Sequence, residues 1–343
     1  MVKAKKFILK EPFDGFPKRS DFELQEEDLP ALQDGEYLAE ALFLSVDPYM
    51  REYMARFPPR SIMVGIQVAK VLESRNKDYT PGELVVLQSG WRTHTISDGK
   101  KNDDYKLPPM GDLSPSLGCG SVGMPGMTAY FGFLELCQPK AGETVVVSGA
   151  AGAVGSLVGQ IAKLKKCKVI GYAGTDAKCK WLKEELGFDH AFNYKTTDIG
   201  QSLKEAAPEG VDCYFDNVGG MTAVTVMNHM NLFGRIANCG AISSYNDTEV
   251  ATGPYIFGLM VSKQLRSEGF IVNRWKDSWP KGLMQMIEWI KEGKVKVREH
   301  VTQGFEKMPE AFMGMLRGEN TGKAVVAAES SYDKYTKLGQ TMS

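Results

Sequence analysis

The stretch Glu143–Ser156, ETVVVSGAAGAVGS, decides the fold of this chain. An apolar run, Val145–Val147, is followed by glycines in the spacing G-x-x-G-x-x-G. The apolar residues after them recur at the spacing of one helix face: Val154, Leu157, Val158 and Ile161. Strand, glycine turn and helix in succession form the context in which a helix N-terminus binds the pyrophosphate of a dinucleotide. The usual spacing is G-x-G-x-x-G, so a plain packing turn is the alternative, but we favour cofactor binding.

Strand-like and helix-like runs alternate around this turn. A helix is predicted before it, at Thr128–Leu136. The strands predicted after it are Lys168–Ala173, His190–Tyr194, Val211–Phe215 and Arg235–Cys239. The predicted helices are Ala177–Leu186, Ile199–Ala207, Thr222–Met230 and Gly282–Glu292. This alternation predicts an α/β fold with a parallel, doubly wound sheet.

The chain up to residue 124 has a different pattern, of short apolar runs broken by Pro, Gly and Asp. The predicted strands are Tyr37–Val46, Val64–Ser74 and Glu83–Gln88, with turns at Asp34–Gly35 and Pro81–Gly82. Loops are predicted at Arg56–Ile62 and Asn246–Pro254. Strand-like runs return over residues 295–328, with a short helix near Pro309–Leu316, and a polar tail is predicted at 329–343. We therefore predict a β-rich body beside the α/β domain.

Composition restricts the class of protein. The length of 343 residues predicts two domains, and a formal net charge of −1 gives no case for a nucleic-acid partner. No stretch approaches the roughly 18 apolar residues of a membrane-spanning helix, so we expect no membrane insertion. The six cysteines form no C-x-x-C pair and lie near no histidine at zinc-binding spacing. We therefore expect no metal site, and reduced cysteines in a cytoplasmic protein.

The end of the second α/β strand indicates which nicotinamide cofactor fits. Gly174 stands where an acid would bind the ribose of NAD, and Asp176 is expected to cap the next helix. Lys178 lies in the first turn of that helix and suits a 2′-phosphate, which favours NADPH. The alternative is that Lys178 is an ordinary solvated lysine.

Two later strand ends carry polar groups toward the same crevice. Asn217, in FDNVGG, is a candidate for a bond to a cofactor ribose or amide, and a turn-forming role is nearly as plausible. The small residues of CGAISSY leave room for a nicotinamide, and Tyr245 supplies a hydroxyl there. A buried tyrosine with a satisfied hydroxyl is the alternative.

In the N-terminal domain, aromatic residues alternate with arginines. Tyr49, Tyr53 and Phe57 could line an apolar pocket, and Arg51 and Arg56 could give it a cationic end. Singly, each of these residues is more often ordinary core or surface.

Five motifs together resemble the zinc-independent medium-chain dehydrogenase/reductase family, over nearly the whole chain. They are SVDPYMR (Ser45–Arg51), VGMPGMTAYFG (Val122–Gly132), SGAAGAVGSLVGQIAK (Ser148–Lys163), FDNVGG (Phe215–Gly220) and CGAISSYN (Cys239–Asn246). The resemblance implies a GroES-like β-rich catalytic domain of residues 1–124 completed by 295–328, and a Rossmann NADPH-binding domain of residues 125–294. It also implies a homodimer in the cytoplasm, with NADPH/NADP as cofactor.

The resemblance also implies the site residues. The substrate-binding residues are Tyr49 and Arg56, and Tyr245 is the candidate catalytic residue. The implied cofactor-binding residues are Gly152, Ala153, Val154, Gly155, Lys178, Tyr194, Asn217, Cys239, Gly240, Ala241, Ile242, Ser243, Ser244, Tyr245, Phe270, Ile271, Val272 and Asn320. Two features depart from the family pattern, because Ser262 stands where relatives often carry a tyrosine and the loop 246–257 is not proline-rich.

The implied reaction is NADPH-dependent reduction of the carbon–carbon double bond of α,β-unsaturated ketones and aldehydes. Its substrates would be lipid enones such as 15-oxo-prostaglandins and lipid-derived alkenals, and NADP-dependent oxidation of the leukotriene B4 12-hydroxyl would be compatible with the same site. Hydrogen-bond donors must then face the carbonyl oxygen, where charge develops. The alternatives are a zinc-free quinone reductase and a non-catalytic dinucleotide-binding redox sensor.

Overall fold

The fold was obtained as a computed structural model that describes residues 2–100 and 104–328. The chain forms two units, one made of the chain up to Gly120 and from Glu299 onward, the other of Ser121–Arg298. The boundaries predicted from the sequence follow residues 124 and 294, and the structure divides the chain after residues 120 and 298. The predicted polar tail, 329–343, lies outside the described residues.

The first unit is β-rich, as predicted. Its strands are β1 (Lys3–Leu9), β2 (Phe22–Asp28), β3 (Tyr37–Ser45), β4 (Gln67–Ser74), β5 (Leu84–Leu87), β6 (His94–Ser97), β7 (Tyr105–Lys106), β14 (Glu299–Gln303) and β15 (Lys323–Ala327). β1 and β2 form a two-stranded sheet, and a seven-stranded sheet has the order β14-β15-β3-β4-β5-β7, with β6 paired to β3. Helices α1 (Tyr49–Tyr53) and α9 (Met308–Leu316) complete the unit. Its core is aromatic, with Phe22 stacked on Trp91 at 5.6 Å between ring centroids.

The second unit contains a six-stranded sheet. Its strands are β8 (Thr144–Val147), β9 (Lys168–Ala173), β10 (His190–Asn193), β11 (Val211–Asp216), β12 (Met230–Asn238) and β13 (Arg266–Gly269). The helices are α2 (Met124–Phe131), α3 (Gly155–Leu164), α4 (Asp176–Glu184), α5 (Ile199–Ala206), α6 (Gly220–Asn228), α7 (Phe257–Lys263) and α8 (Trp279–Lys291). The order β10-β9-β8-β11-β12-β13, with every pair parallel, confirms the doubly wound sheet. The order reverses between β8 and β11, so a crevice opens at their carboxyl ends.

Most elements match the sequence prediction, and the exceptions have local causes. β12 begins at Met230 rather than Arg235 because a bulge interrupts its apolar pattern, with Phe233 at a φ of +62°. The elements absent from the prediction are the helices α1 and α7 and the strands β1, β2, β6, β7 and β13. β13 reads RSEG, an edge strand without apolar alternation, and α7 buries none of its side chains.

Candidate active site

The glycine turn after β8 has a geometry that requires glycine. Gly149 adopts a φ of +57°, and the Gly152 N–H donates to its carbonyl at 3.1 Å. A Cβ on Gly155 would lie 2.5 Å from the Gly149 carbonyl oxygen and 2.8 Å from the Ala150 Cα. The N–H groups of Ser156 and Leu157 donate to the Gly152 and Val154 carbonyls, so the backbone just before them lies at the positive end of α3. This turn can therefore bind an anion through the backbone of residues 152–155.

Asp216, at the end of β11, organises the neighbouring loop. Its side chain is 2% exposed, and Oδ1 accepts hydrogen bonds from the Ser148 and Tyr214 hydroxyls at 2.8 and 2.7 Å. The same oxygen accepts the N–H groups of Val218 and Gly219, each at 2.9 Å. The turn-forming acid is therefore Asp216.

Asn217 is fixed against the glycine turn. Its amide Nδ2 donates to the Ser148 carbonyl at 2.7 Å, and its N–H donates to the Ser148 hydroxyl at 2.9 Å. The Asn217 Cβ lies 3.3 Å from the position that a Cβ on Gly149 would take. Asp216, which with Asn217 was expected at the strand end facing the ligand, and Ser148, which the sequence analysis did not single out, thus hold Asn217 beside the glycine turn.

The loop after β12 is joined to the loop after β11. The Cys239 and Gly240 N–H groups donate to the Asp216 carbonyl, and the Ser243 hydroxyl donates to the Val218 carbonyl at 2.6 Å. The Tyr245 hydroxyl accepts the Ala241 N–H at 3.2 Å and lies half-buried against its own loop. Burial raises the pKa of the Cys239 thiol to about 12, so that thiol stays protonated. Hydrogen bonds therefore tie the segment 239–245 to the loop after β11.

The helix α4, which follows β9, has a different N-cap residue from the one expected. Thr175 is the N-cap of α4 and its hydroxyl accepts the Lys178 N–H at 3.3 Å, so the prediction that Asp176 caps the helix was wrong. Asp176 instead accepts the Asn193 amide at 2.8 Å. The Tyr194 hydroxyl lies 3.2 Å from the place of a Cβ on Gly174. Burial lowers the pKa of Lys178, and the nearby charge of Lys195 lowers it further.

The three side chains of the segment Phe270–Val272 differ in exposure. The Phe270 ring packs on Gly132 and lies 6.1 Å from Phe215, and Val272 is buried, so both side chains belong to the core of the unit. Ile271 is 60% exposed. In the first unit, Asn320 donates to the Gly322 carbonyl at 2.7 Å. From Phe270 and Val272, contacts with a cofactor would therefore come from the backbone.

In the first unit, α1 and its continuation form a row of rings and charges. The rings of Tyr49 and Tyr53 meet edge to face at 5.2 Å, and the Arg56 guanidinium lies 4.8 Å from the Tyr53 centroid. Burial, followed by the charge of Asp47, raises the pKa of Tyr49. Arg51 differs from Arg56, because it is buried over Phe13 and donates to a backbone carbonyl at 2.9 Å. Arg56 therefore offers the exposed guanidinium of this row.

Within residues 2–100 and 104–328, no three His, Cys, Asp or Glu side chains come together in a way that could hold a metal ion. Across the same residues, no helix has the length and apolar character needed to traverse a bilayer. Ser262 is exposed on α7, and its hydroxyl donates to the Leu259 carbonyl at 3.2 Å.

Comparison with known proteins agrees with the fold. Residues 5–104 match the family described as the N-terminal domain of oxidoreductase, and residues 153–289 match the zinc-binding dehydrogenase family. Prostaglandin reductase 1 of Bos taurus is 53% identical, over 96% of this chain and 100% of its own length. The NADP(+)-dependent 2-alkenal reductase of Nicotiana tabacum is 43% identical, over 95% of this chain and 97% of its own. The crystal structure of Vibrio vulnificus CurA in complex with NADPH superposes with a TM-score of 0.89 at 38% identity, covering 95% of this chain and 99% of that one.

A doubly wound sheet with a glycine turn at its switch point, joined to a β-rich unit, defines an oxidoreductase of the medium-chain dehydrogenase/reductase class. The chain belongs to the zinc-independent branch of that family, in the group that contains the mammalian prostaglandin reductase 1 proteins.

Proposed function

We propose that this chain reduces the carbon–carbon double bond of α,β-unsaturated ketones and aldehydes with NADPH. The observation that carries the proposal is the similarity over nearly the full chain to prostaglandin reductase 1 and to 2-alkenal reductase, which are named for such reductions. The substrates we propose are lipid enones, such as 15-oxo-prostaglandins and lipid-derived alkenals.

The residues at the carboxyl ends of β8, β9 and β11 fit this cofactor. The backbone of residues 152–155, at the start of α3, would bind the pyrophosphate, and the turn there leaves no space for a side chain at Gly155. Lys178 and the Tyr194 hydroxyl would bind the 2′-phosphate beside Gly174, where an acid would repel it. Asn217 and the segment 239–245 would line the rest of the cleft. When bound, NADPH supplies the hydride that reduces the substrate β-carbon.

The protein must also stabilise charge on the substrate carbonyl oxygen. We assign a hydrogen bond to that oxygen to the Tyr245 hydroxyl, which the loop after β12 holds in place. Ser262 has a short side chain bonded to its own helix, so a tyrosine acid is absent at that position and water would protonate the α-carbon. Tyr49 and Arg56 would bind the apolar and anionic parts of a lipid substrate.

The test is NADPH oxidation, followed by nicotinamide absorbance, with four substrates. These are a 15-oxo-prostaglandin, a 2-alkenal, the matching saturated ketone and a quinone. We expect oxidation with the two enones only, and a fall of about 10²–10³ in turnover for Tyr245→Phe. Oxidation with the quinone alone would favour a quinone reductase, and tight NADPH binding without oxidation would favour a redox sensor. An undiminished rate in the variant would remove Tyr245 from the reaction.

The same proposal includes an oxidation reaction with NADP⁺ and the location of the enzyme in the cell. Oxidation of the 12-hydroxyl of leukotriene B4 with NADP⁺ would use the same cleft: hydride would pass from the carbinol carbon to NADP⁺, and the hydroxyl proton would pass to water. Product formation from leukotriene B4 and NADP⁺ tests it. We also propose a cytoplasmic location, since five of the six free cysteines are buried and none is paired, and cell fractionation tests this.

We further propose a homodimer formed along β13. This strand is the outer strand of the six-stranded sheet. Tyr255, Phe257 and Val261, in the segment that precedes it in the chain, are 84%, 60% and 77% exposed. A second copy would cover this apolar surface with a two-fold interface. Sedimentation of the wild type as a dimer and of Val261→Asp as a monomer would support the interface, whereas a monomeric wild type would refute it.

A further inference from the structure

The end of β10 brings a second lysine to the end of β9. The strands pair in parallel with Asn193 opposite Ala173, so the residues that follow them lie side by side. The Lys195 Cε is 3.5 Å from the place of a Cβ on Gly174, next to the Tyr194 hydroxyl at 3.2 Å. The sequence analysis did not single out Lys195, because its position depends on this pairing.

The two lysines are close enough to influence each other. The positive charge of Lys195 adds to burial in lowering the pKa of Lys178. Holding two ammonium groups together is unfavourable unless an anion binds between them. In the described part of the chain, no carboxylate forms an ion pair with Lys195. The arrangement therefore suits an anionic ligand.

Asn193 forms hydrogen bonds to both Asp176 and Lys195. Asn193 Nδ2 donates to Asp176 Oδ1 at 2.8 Å, and Asn193 Oδ1 accepts the Lys195 N–H at 3.1 Å. The Asp176 carboxylate, the acid nearest to Lys178 in sequence, is thus engaged by an amide. The same amide fixes the backbone that carries Lys195.

We propose that Lys195, together with Lys178, binds the 2′-phosphate of NADPH and sets the preference of this chain for NADPH over NADH. The inference rests on the proposed function, in which NADPH is the reductant. A phosphate monoester carries a charge of about −1.5 to −2 near neutral pH, which two ammonium groups balance better than one. Because Gly174 has no side chain, the phosphate has room between Lys178, Lys195 and the Tyr194 hydroxyl.

The kinetic test compares Lys195→Met, Lys195→Arg and a charge-matched control, Lys180→Met. Lys180 lies on the same helix as Lys178, and its exposed side chain pairs with Glu184 at 3.8 Å. We expect Lys195→Met to raise the KM for NADPH about tenfold or more, with kcat and the KM for NADH unchanged. Lys195→Arg should retain most of the preference, and Lys180→Met should behave as the wild type. Equal changes with both cofactors, or none, would overturn the assignment.

A binding experiment separates this inference from the reaction. Calorimetry with 2′,5′-ADP and 5′-AMP measures the contribution of the 2′-phosphate without any substrate. The wild type should bind 2′,5′-ADP more tightly, and Lys195→Met should lose about tenfold of that affinity while 5′-AMP binding stays constant. If Lys195→Met keeps the full preference for 2′,5′-ADP over 5′-AMP, the role of Lys195 is refuted but the NADPH site is not. A wild type without any preference would refute the NADPH site as well.

Discussion

At the scale of single residues, Asp216 is the acid on which the cofactor loop depends. Four donors converge on one of its carboxylate oxygens, two from hydroxyl groups and two from the backbone. Hydrogen bonds to a charged acceptor contribute about 1.5–3 kcal/mol each, roughly twice the value for a neutral one. The charge of Asp216 therefore holds the loop that carries Asn217.

We expect Asp216→Asn to loosen this loop while leaving the fold intact. The KM for NADPH should rise about tenfold, and the free energy of unfolding should fall by about 1–3 kcal/mol, because neutral hydrogen bonds replace charge-assisted ones. Steady-state kinetics and urea unfolding measure the two effects. Asp277→Asn, at an exposed position of a 3₁₀ helix, is the control. An unchanged KM for NADPH would show that the loop does not need the charge.

Glu299 is a buried acid that predicts a pH effect on stability. Its Oε2 accepts the Ser116 hydroxyl at 2.5 Å, whereas Oε1 is buried without a hydrogen-bond partner. Burial raises the pKa of Glu299 above its ordinary value of 4.5, and the charge of Lys323 opposes this only in part. The folded state therefore binds this proton more tightly than the unfolded state, and the stability it gains at low pH is lost as pH rises.

Glu299→Gln should consequently become more stable relative to the wild type as pH increases. Its free energy of unfolding, relative to wild type, should rise from pH 4.5 to the raised pKa and then level off, by about 1.4 kcal/mol per unit of pKa separation. Urea unfolding at a series of pH values measures the difference, with the exposed Glu249→Gln as control. A difference that is constant or falls with pH would contradict the argument.

At the scale of elements, the junction of β8 and α3 allows no side chain at its third glycine. A Cβ on Gly155 would meet two backbone groups, which cannot move aside as a flexible side chain would. Gly155→Ala should therefore shift the turn and weaken NADPH binding about tenfold or more, with a smaller loss of stability. Gly258→Ala is the matched control, because a Cβ there meets nothing within 4 Å. Fluorescence titration with NADPH measures both, and equal affinities would show that the turn adapts.

Elements with strong apolar periodicity could be predicted from the sequence, and those without it could not. Lys168–Ala173 was predicted at its observed bounds because it is buried on both faces. β13 escaped prediction since an edge strand of polar residues has no alternation to detect. The start of β12 was missed because Phe233 adopts a left-handed backbone conformation, which the sequence pattern does not predict.

At the scale of the whole molecule, the sequence analysis could not predict contacts that depend on which strands pair with each other. The glycine turn and Lys178 could be found because each depends on local spacing. The positions of Lys195 and Asn193 beside Gly174 and Asp176 depend on which strand pairs with β9 and in which register. Likewise, Ser148 and Asp216 are far apart in sequence and meet because β8 and β11 are neighbours. Contacts of this kind follow from topology, which the sequence pattern constrains only in part.

The distribution of thiols over the whole molecule predicts how the protein tolerates its proposed substrates. Alkenals add to thiolates, so an alkenal reductase with exposed, ionised cysteines would be alkylated. Here Cys119, Cys137, Cys167, Cys179 and Cys213 are buried, and Cys239 is partly buried. Burial raises the pKa of Cys119 and Cys239 to about 12 and that of Cys167 to about 11.

We therefore expect the native protein to acquire at most one adduct, at Cys239, when it is incubated with a 2-alkenal in the absence of NADPH. The protein unfolded in urea should acquire adducts at all six cysteines under the same conditions. Intact-protein mass spectrometry counts the adducts, and the folded Cys239→Ser protein should acquire none. Several adducts on the folded wild type, formed at the rate seen in urea, would show that burial does not protect these thiols and that alkenal tolerance has another source.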